Sequence, residues 1–380
     1  MKILHVVNIS FVLPYYIGEQ FDYFREKGVE IFVACSYSTH LINYGKEKNF
    51  VPIPINILRK INPLEDLKAI LYLRKRIREE SIDIVVGHTP KGALIAMVAA
   101  YLAGVNKRVY FRHGLVYETA KGFKRKLLLN IEKLTGFLAT KVVCVSGSVL
   151  EISKVDRLSS ISKNIILNRG TCNGLDAVKK FNKSLVPVIE IDALKLTYKL
   201  KDEKVVGYVG RLVNDKGIKE LILAWKKIVS VHDNVKLLLV GPFEERDAIS
   251  EDIQNFILNE PSIIYTGLIE NIAPFYRLMD MFVLPSYREG FPTVVLEASA
   301  MELPVITTNV TGCRDSILEN ETGIFTNIDP ESIFKSIHLY LQDPELAKRH
   351  GVNGRLFILK NFGQENIWKE LSDRVFEFNF

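Results

Sequence analysis

The chain has 380 residues, which is too many for one hydrophobic core, because single cores stop growing near about 250 to 300 residues. Two domains are therefore expected. Its 48% hydrophobic and 25% charged residues are typical of a globular protein and exclude a disordered, collagenous or coiled-coil chain. The charge is uneven: 29 Lys and Arg against 16 Asp and Glu give +13 in residues 1–190, and 21 against 28 give −7 in residues 191–380. The basic half indicates an anionic partner, either nucleic acid or an anionic membrane surface.

Short β-branched runs alternate with longer helical patterns along the whole chain, which predicts buried parallel strands joined by helices. The first series of predicted strands is Ile3–Val7, Ile31–Ala34, Ile84–Val86, Val109–Phe111, Val142–Val145 and Ile165–Leu167. The second series is Val205–Val209, Val235–Val240, Ile263–Tyr265, Met281–Leu284, Val305–Thr307 and Ile324–Thr326. Two such series predict an α/β fold with two Rossmann-like, doubly wound domains and a ligand in the cleft between them.

The predicted domains are residues 1–185 and 204–363. Residues 186–203 are the predicted linker, because this segment lacks a clear strand pattern. Residues 364–380 have apolar side chains at helical spacing and pack on one of the two domains.

No segment predicts a signal peptide or a membrane anchor. The run Ile3–Val7 passes directly into polar sequence and is interpreted as a strand, and the longest apolar segment, Gly92–Val105, falls short of the roughly 20 residues that a bilayer span needs. The cysteines show no C-x-x-C spacing and are interpreted as buried free thiols of a reducing compartment. We therefore expect a cytosolic protein.

The most informative motif is SYREGFPTVVLEA at residues 286–298, directly after a predicted strand. Pro292 suits the first turn of the following helix, whose N-terminal N–H groups would face a bound anion. Glu289 in the loop and Glu297 in the second helical turn could accept hydrogen bonds from two sets of hydroxyls, such as a ribose and a hexose. From these residues alone, two surface glutamates on a strand–loop–helix fit equally well.

A second loop, VGYVGRLVNDKG at residues 206–217, also follows a predicted strand and precedes a predicted helix, Ile218–Val229. Arg211 offers a bidentate fork and Lys216 a point charge, which together could neutralise a diphosphate. An ordinary solvated loop is the alternative interpretation.

Together the two loops resemble the retaining glycosyltransferases of family 4, which have the GT-B fold. The resemblance covers nearly the whole chain and extends to residues 143–148, 173–176, 284–286 and 304–312. Within the family, the chain is similar to bacterial enzymes that build capsule, O-antigen or lipid-linked oligosaccharides, through residues 88–92, 112–114, 241–244 and 312–315. The C-terminal helix of the GT-B fold crosses back to the N-terminal domain, so the resemblance assigns residues 364–380 to the first domain.

The resemblance implies a donor site in the second half of the chain. It makes Arg211 and Lys216 the diphosphate-binding pair, Glu297 the ribose contact and Glu289 the donor-sugar contact. The other residues that it places around the donor are Gly290, Phe291, Pro292 and Thr293 beside the sugar, and Ile269 at the base.

The resemblance also implies that His113 is the active-site histidine that contacts the sugar near the reacting carbon. A lone histidine is more often structural, but this one lies between Arg112 and Gly114 at a strand's carboxyl end. Arg112, His88 and Lys91 are assigned to the acceptor side, together with Ser10. Ser10 lies in the loop 8–14, where many family members have two glycines and this chain has none.

For the mechanism, the resemblance implies front-face transfer with retention, in which the departing phosphate accepts the proton of the acceptor hydroxyl. The donor is expected to be UDP-linked and to carry an N-acetylhexosamine or a related hexose. The chain has no D-x-D motif near the two loops and no metal-ligand spacing, so we expect no metal and no cofactor. Arg211, Lys216 and helix N-termini would then stabilise the leaving diphosphate.

The acceptor implied by the resemblance is a polyprenyl-diphosphate-linked saccharide, which favours a peripheral position on the inner face of the cytoplasmic membrane. Basic residues interleaved with apolar ones fit an amphipathic surface on anionic lipid as well as they fit a solvated helix face. These basic residues are Lys60, Lys68, Arg74, Lys75, Arg76, Arg78, Lys121, Lys124, Arg125 and Lys126.

Two other function classes compete. A sugar-nucleotide 2-epimerase shares the fold and the nucleotide site, and would convert the nucleotide sugar without an acceptor. A nucleic-acid-binding protein is not expected, because the sequence shows no helix-turn-helix signal, no aromatic RNP pattern and no zinc spacing.

Overall fold

The computed structural model describes residues 1–58 and 62–378. The chain forms two compact units: Met1–Gly174 with the residues from Gln364 onward, and Leu175–Gly363. Each unit contains a parallel sheet with helices between successive strands.

The first unit contains a seven-stranded parallel sheet in the described residues, with strand order β3-β2-β1-β4-β5-β6-β7. The strands are β1 Lys2–Val6, β2 Glu30–Cys35, β3 Val51–Pro54, β4 Ile84–Gly87, β5 Lys107–Arg112, β6 Lys141–Cys144 and β7 Asn164–Ile165. The helices are α1 Leu13–Tyr16, α2 Gln20–Glu26, α3 Thr39–Lys48, α4 Pro63–Glu79, α5 Pro90–Ala103, α6 Gly122–Leu138 and α7 Gly147–Val155. Each of the six strands predicted in this half overlaps an observed strand.

Strand β3 was not predicted from the sequence. It contains Pro52 and Pro54 and lies at the edge of the sheet, where a missing N–H costs no ladder hydrogen bond on the outer side. Two prolines in four residues argue against a strand in the sequence, and the structure tolerates them because β3 is an edge strand.

The second unit contains a six-stranded parallel sheet with strand order β10-β9-β8-β11-β12-β13. The strands are β8 Lys204–Val209, β9 Val235–Val240, β10 Ile263–Gly267, β11 Met281–Leu284, β12 Val305–Thr308 and β13 Gly323–Thr326. The helices are α8 Val188–Thr197, α9 Ile218–Ile228, α10 Glu251–Asn259, α11 Ala273–Leu278, α12 Thr293–Ala300, α13 Pro330–Gln342 and α14 Pro344–Asn361. In both sheets the strand order reverses beside the first strand, which is where doubly wound folds bind ligands.

The predicted linker is in fact part of the second unit. Residues 188–197 form α8, which packs against α11, and Ile191 of α8 is buried in the second core. The chain passes between the units at Gly174–Leu175 and again after Gly363, where the Leu175 N–H donates to the Phe362 carbonyl at 2.7 Å. The boundary thus lies about ten residues before the predicted end of the first domain at residue 185.

The C-terminal residues lie in the first unit, where the family resemblance placed them. Helix α15, Gln364–Glu370, continues into a π-helical turn, Leu371–Phe376. The Trp368 indole N–H donates to Asn173 Oδ1 at 2.9 Å, and the rings of Phe376 and Phe378 pack edge-on against Phe24. Buried aromatic rings of this size contribute strongly to core stability.

The cysteines Cys35, Cys144, Cys172 and Cys313 are free and buried, as predicted. Within the part of the chain that the structure describes, every helix is too short or too polar to cross a bilayer.

Candidate active site

The carboxyl ends of β8 and β11, which are neighbours in the second sheet, bring the two predicted donor loops together. The ammonium of Lys216 is ion-paired with the carboxylate of Glu289. Both side chains are mostly buried, at 15% and 14% exposure, and the Ser286 hydroxyl donates to the same Glu289 oxygen at 2.9 Å. The structure therefore joins Lys216 and Glu289, which are 73 residues apart in sequence, into one charged pair.

These two loops are held together by several further contacts. The Tyr287 N–H donates to the Asp215 carbonyl at 3.0 Å, and the Arg288 guanidinium is ion-paired with the Asp215 carboxylate at 2.8 Å. Gly217 has φ +69°, and a Cβ there would lie 2.1 Å from the Pro285 carbonyl oxygen. Only glycine permits this close approach. The two loops that hold Lys216 and Glu289 are therefore packed tightly against each other.

Glu297 lies in α12, whose N-cap is Pro292, one position earlier than the predicted first turn. Its side chain is buried, and the Tyr276 hydroxyl donates to Glu297 Oε2 at 2.7 Å. Burial raises the pKa of the Glu297 carboxyl. Tyr276 fixes the direction of this carboxyl group, which preorganises it as a hydrogen-bond acceptor.

The loop after β11 is also fixed from its other side. The Glu289 N–H donates to the Thr311 carbonyl at 3.3 Å, and Gly312, with φ +80°, lies where a Cβ would be 2.5 Å from the Gly290 carbonyl oxygen. Phe291 packs its ring 5.5 Å from that of Phe362. Thr293 begins α12 directly after this loop.

Arg211 and Ile269 are placed less closely around the pair. The Arg211 guanidinium is half exposed and ion-paired with Glu244 at 2.7 Å. Ile269 lies in the loop after β10 and is partly buried against the second core. The structure thus pairs Arg211 with a carboxylate other than Glu289.

In the first unit, three histidines form a hydrogen-bonded row across the adjacent strands β1, β4 and β5. His5 Nδ1 lies 3.1 Å from His88 Nε2, and His88 Nδ1 lies 2.9 Å from His113 Nε2. His5 and His88 are buried, and Tyr16 stacks on His113 with a centroid distance of 3.7 Å. Desolvation lowers the pKa of His5 and of His113 to about 3, and that of His88 well below its usual value. The row is therefore neutral at pH 7.

Sequence reasoning missed His5 and Tyr16. The signal for His5 was the strand order itself, because doubly wound sheets place the first strand beside the fourth. Tyr16 comes from the loop without glycines: residues 10–12 form a 3₁₀ turn and α1 follows, so this segment supplies an aromatic ring over His113.

Two residues assigned to the acceptor side are corrected by the structure. The Arg112 side chain is fully buried and ion-paired with Glu132 of α6 at 3.2 Å, so it cannot reach an acceptor. The reason is strand alternation: side chains of neighbouring residues point to opposite faces, so Arg112 and His113 diverge. Ser10 is buried and shares a 2.8 Å hydrogen bond with Ser38, the N-cap of α3.

The remaining acceptor-side residues have protein partners. Lys91 is ion-paired with Asp66 of α4 at 2.7 Å, and His88 is 1% exposed inside the histidine row. His113, which is partly exposed, is the member of the row that can meet a ligand. Residues 1–58 and 62–378 contain no group of three His, Cys, Asp or Glu side chains arranged to hold a metal ion.

Comparison with known proteins gives two family matches. A model described as "Glycosyl transferase 4-like" matches residues 2–146, and one described as "Glycosyl transferases group 1" matches residues 194–357. Each half of the chain therefore matches a glycosyltransferase domain.

The chain is 36% identical over 375 residues to the capsular polysaccharide biosynthesis glycosyltransferase CapM of Staphylococcus aureus, covering 97% of this chain and 95% of that protein. It is 27% identical over 361 residues to the UDP-Gal:alpha-D-GlcNAc-diphosphoundecaprenol alpha-1,3-galactosyltransferase of Escherichia coli, covering 90% and 88%. Among solved structures, it is similar to HepE of Anabaena in complex with UDP and glucose, with a TM-score of 0.82, 16% identity and full coverage of both chains. The last likeness concerns the fold.

Proposed function

The chain belongs to the family 4 glycosyltransferases, and we propose that it moves a hexose or N-acetylhexosamine from a UDP-linked donor to a polyprenyl-diphosphate-linked saccharide. Its two Rossmann-like α/β domains are those of the GT-B fold. The name of the Escherichia coli relative supports the substrates, since it describes transfer from UDP-Gal to a GlcNAc-diphosphoundecaprenol. The relatives are transferases, which does not favour the 2-epimerase alternative.

The observation that carries the proposal is the Lys216–Glu289 pair at the carboxyl ends of β8 and β11. A mostly buried ammonium and carboxylate that satisfy each other can exchange partners when a charged ligand enters. A diphosphate attracts Lys216, and the released Glu289 carboxylate accepts hydrogen bonds from sugar hydroxyls. Arg211 makes the same exchange from Glu244 to a phosphate oxygen.

We propose that transfer retains the anomeric configuration. The bond between the anomeric carbon and the diphosphate oxygen breaks, the acceptor oxygen bonds to the same face of that carbon, and the acceptor proton moves to the departing phosphate. Lys216, Arg211 and the N-terminal N–H groups of α12 stabilise the charge that develops on the diphosphate. His113 contacts the sugar near its reacting carbon, which is the role that the family resemblance implies.

Two measurements test this mechanism. Transfer from an α-linked donor is expected to give an α-linked product, which is the product linkage in the name of the Escherichia coli relative, and a β-linked product would contradict retention. Transfer is also expected to persist in excess EDTA, because the charges needed at the diphosphate come from side chains and helix N–H groups. Complete loss in EDTA, restored by a divalent cation, would overturn metal independence.

We further propose that the protein lies on the cytoplasmic face of the membrane through helices α4 and α6. Leu64, Leu67 and Leu71 of α4 and Phe123 and Phe137 of α6 are exposed apolar side chains. Exposed lysines accompany them, including Lys68, Lys75, Lys121, Lys124 and Lys126. Apolar side chains flanked by cations fit the interface of an anionic bilayer. Lys60, which the sequence assigns to this surface, lies outside the described residues.

The substrate proposal is tested by screening nucleotide sugars for thermal stabilisation and then for transfer to a polyprenyl-diphosphate-linked acceptor. A donor at 100 times its Kd adds about 2.7 kcal/mol to the free energy of unfolding. We expect a UDP-sugar to stabilise the protein and to elongate the lipid-linked acceptor. Conversion of the nucleotide sugar in the absence of any acceptor would favour the epimerase instead.

A further inference from the structure

The histidine row has a property that no single histidine has. His5 lies in β1, and His88 and His113 directly follow the neighbouring strands β4 and β5. The three rings share two ring-to-ring hydrogen bonds, of 3.1 Å and 2.9 Å. Each bond joins a δ nitrogen to an ε nitrogen, in the same direction along the row. The hydrogen bonds of the histidine row therefore all have the same orientation, and the row ends at His113.

A neutral imidazole carries one N–H and one bare nitrogen. Each pair of facing ring nitrogens in the row must therefore share one proton to form a hydrogen bond. If the His5 proton is on Nδ1, it donates to His88 Nε2, His88 must then be protonated on Nδ1, and it donates to His113 Nε2. In the opposite arrangement, all three protons are on Nε2 and the donation runs from His113 to His5. Any mixture leaves one gap with two facing N–H groups or two facing lone pairs, about 3 Å apart.

The packing keeps the rings in this arrangement. Phe111 stacks against His88 with a centroid distance of 5.0 Å, and Phe21 packs edge-on against His5 at 6.3 Å. Tyr16 lies nearly parallel to His113, with an interplanar angle of 10°. Burial lowers the pKa of each histidine, which keeps the row free of the extra proton that would break its pattern.

We propose that His5 and His88 are positioning residues: the tautomer that their buried surroundings favour is imposed on His113 through the two hydrogen bonds, so that its Nδ1 presents the same hydrogen-bonding character to every ligand. Within residues 1–58 and 62–378, the His113 ring has its hydrogen bond through Nε2, to His88. Nδ1 is thus the nitrogen with which the ring meets a sugar hydroxyl. The effect on transfer rests on the proposed function, whereas the shared tautomer does not.

The decisive measurement is the tautomeric state of each ring nitrogen, read by ¹⁵N NMR on histidine-labelled full-length protein at pH 7 without substrate. We expect His5, His88 and His113 to be of one type, either all Nδ1–H or all Nε2–H. A mixture of the two types among these three rings would overturn the proposal, and this test needs no variant. It is also independent of whether the protein transfers a sugar.

A second experiment removes His5, the ring at the end of the histidine row that lies farthest from His113. His5→Phe keeps a ring against Phe21 but leaves His88 without its partner, so His88 and His113 are expected to show averaged nitrogen shifts. If the two tautomers become equally populated and only one of them accepts the donor, the apparent donor KM rises about twofold. His40→Phe, at an exposed histidine outside the row, should change neither. A His113 tautomer that is unaltered in folded His5→Phe protein would contradict the proposal. A wild-type protein whose three rings share one tautomer but which transfers no sugar would refute the proposed function and leave the tautomer proposal intact.

Discussion

The two sheets end in opposite kinds of chemistry at their carboxyl edges. At the edge of the second sheet, the polar groups are ions in pairs: Lys216 with Glu289, Arg288 with Asp215, and Arg211 with Glu244. At the edge of the first sheet, the central groups are neutral imidazoles stacked with aromatic rings. Paired ions suit a ligand that brings two negative charges, whereas neutral rings suit sugar hydroxyls. The edge of the first sheet thus offers hydrogen bonds without net charge, whereas that of the second offers charges for which a ligand can compete.

The first prediction concerns the fully buried ion pair between Arg112 and Glu132. Arg112→Met removes the partner of Glu132 and leaves a carboxylate that is 2% exposed without its cation. Breaking a buried pair in this way typically costs about 3 to 5 kcal/mol of unfolding free energy. Urea denaturation measures it.

The matched control is Lys75→Met, which breaks an exposed pair with Glu79 on α4 and should cost less than about 1 kcal/mol. Equal losses of unfolding free energy in the two variants would show that the buried Arg112 pair stabilises the protein no more than an exposed pair does.

The second prediction addresses the charged edge directly. Glu289→Ala should lower kcat by about 10² to 10³, as is typical when one preorganised electrostatic contact is lost. Initial rates with the identified UDP-sugar measure the effect. Glu220→Ala, which removes the acceptor of the Tyr287 hydroxyl nearby, is the control and should retain most activity. Normal turnover of the Glu289 variant would contradict the donor-site assignment.

The third prediction concerns the response of the neutral edge, at His5, to acid. A histidine whose pKa is about 3 in the folded protein binds a proton more readily in the unfolded chain. The free energy of unfolding therefore decreases as the pH falls from about 6.5 towards 3. For His5 the expected loss between pH 7 and pH 5 is about 2 kcal/mol.

This loss is measured as the difference in pH dependence between the wild type and His5→Phe, by urea denaturation at both pH values. The variant should show the smaller loss. An identical pH dependence in the two proteins would mean that His5 is not buried in its neutral form.

The smallest expected effect concerns the membrane surface. The double change Lys124→Gln and Lys126→Gln on α6 should weaken binding to anionic liposomes by about 1 kcal/mol for each charge, and added salt should reduce the difference. Lys195→Gln with Lys199→Gln, on and after α8 of the second domain, is the charge-matched control. Liposome co-sedimentation that is equal for both double variants would count against α6 as the contact surface.

The sequence predicted the strands and the donor loops because both are local signals. Hydrophobic periodicity marks a buried strand, and residues 286–298 contain Glu289, Pro292 and Glu297 at fixed spacing on one strand–loop–helix. The ion pair of Lys216 with Glu289 was not predicted; it arises because β8 and β11 are neighbours in the sheet.

What the sequence could not supply were contacts that depend on which face a side chain takes. Arg112 and His113 are neighbours in sequence but lie on opposite faces of the sheet, and Ser10 turns inward to Ser38. The α8 segment was interpreted as a linker because it lacks a strand pattern, and its partner α11 lies about 80 residues away in sequence. His5 required the strand order before it could be seen as a neighbour of His88.

The return of the chain after Gly363 has a consequence for synthesis on the ribosome. The first domain contains Asn173 and Phe24, whose partners Trp368 and Phe376 belong to the last helical turns. Because the polypeptide emerges from its N-terminus, residues 1–174 must wait for nearly two hundred further residues before these contacts can form. The domain that is translated first is therefore the one that is completed last, and the second domain can finish its own core in the meantime.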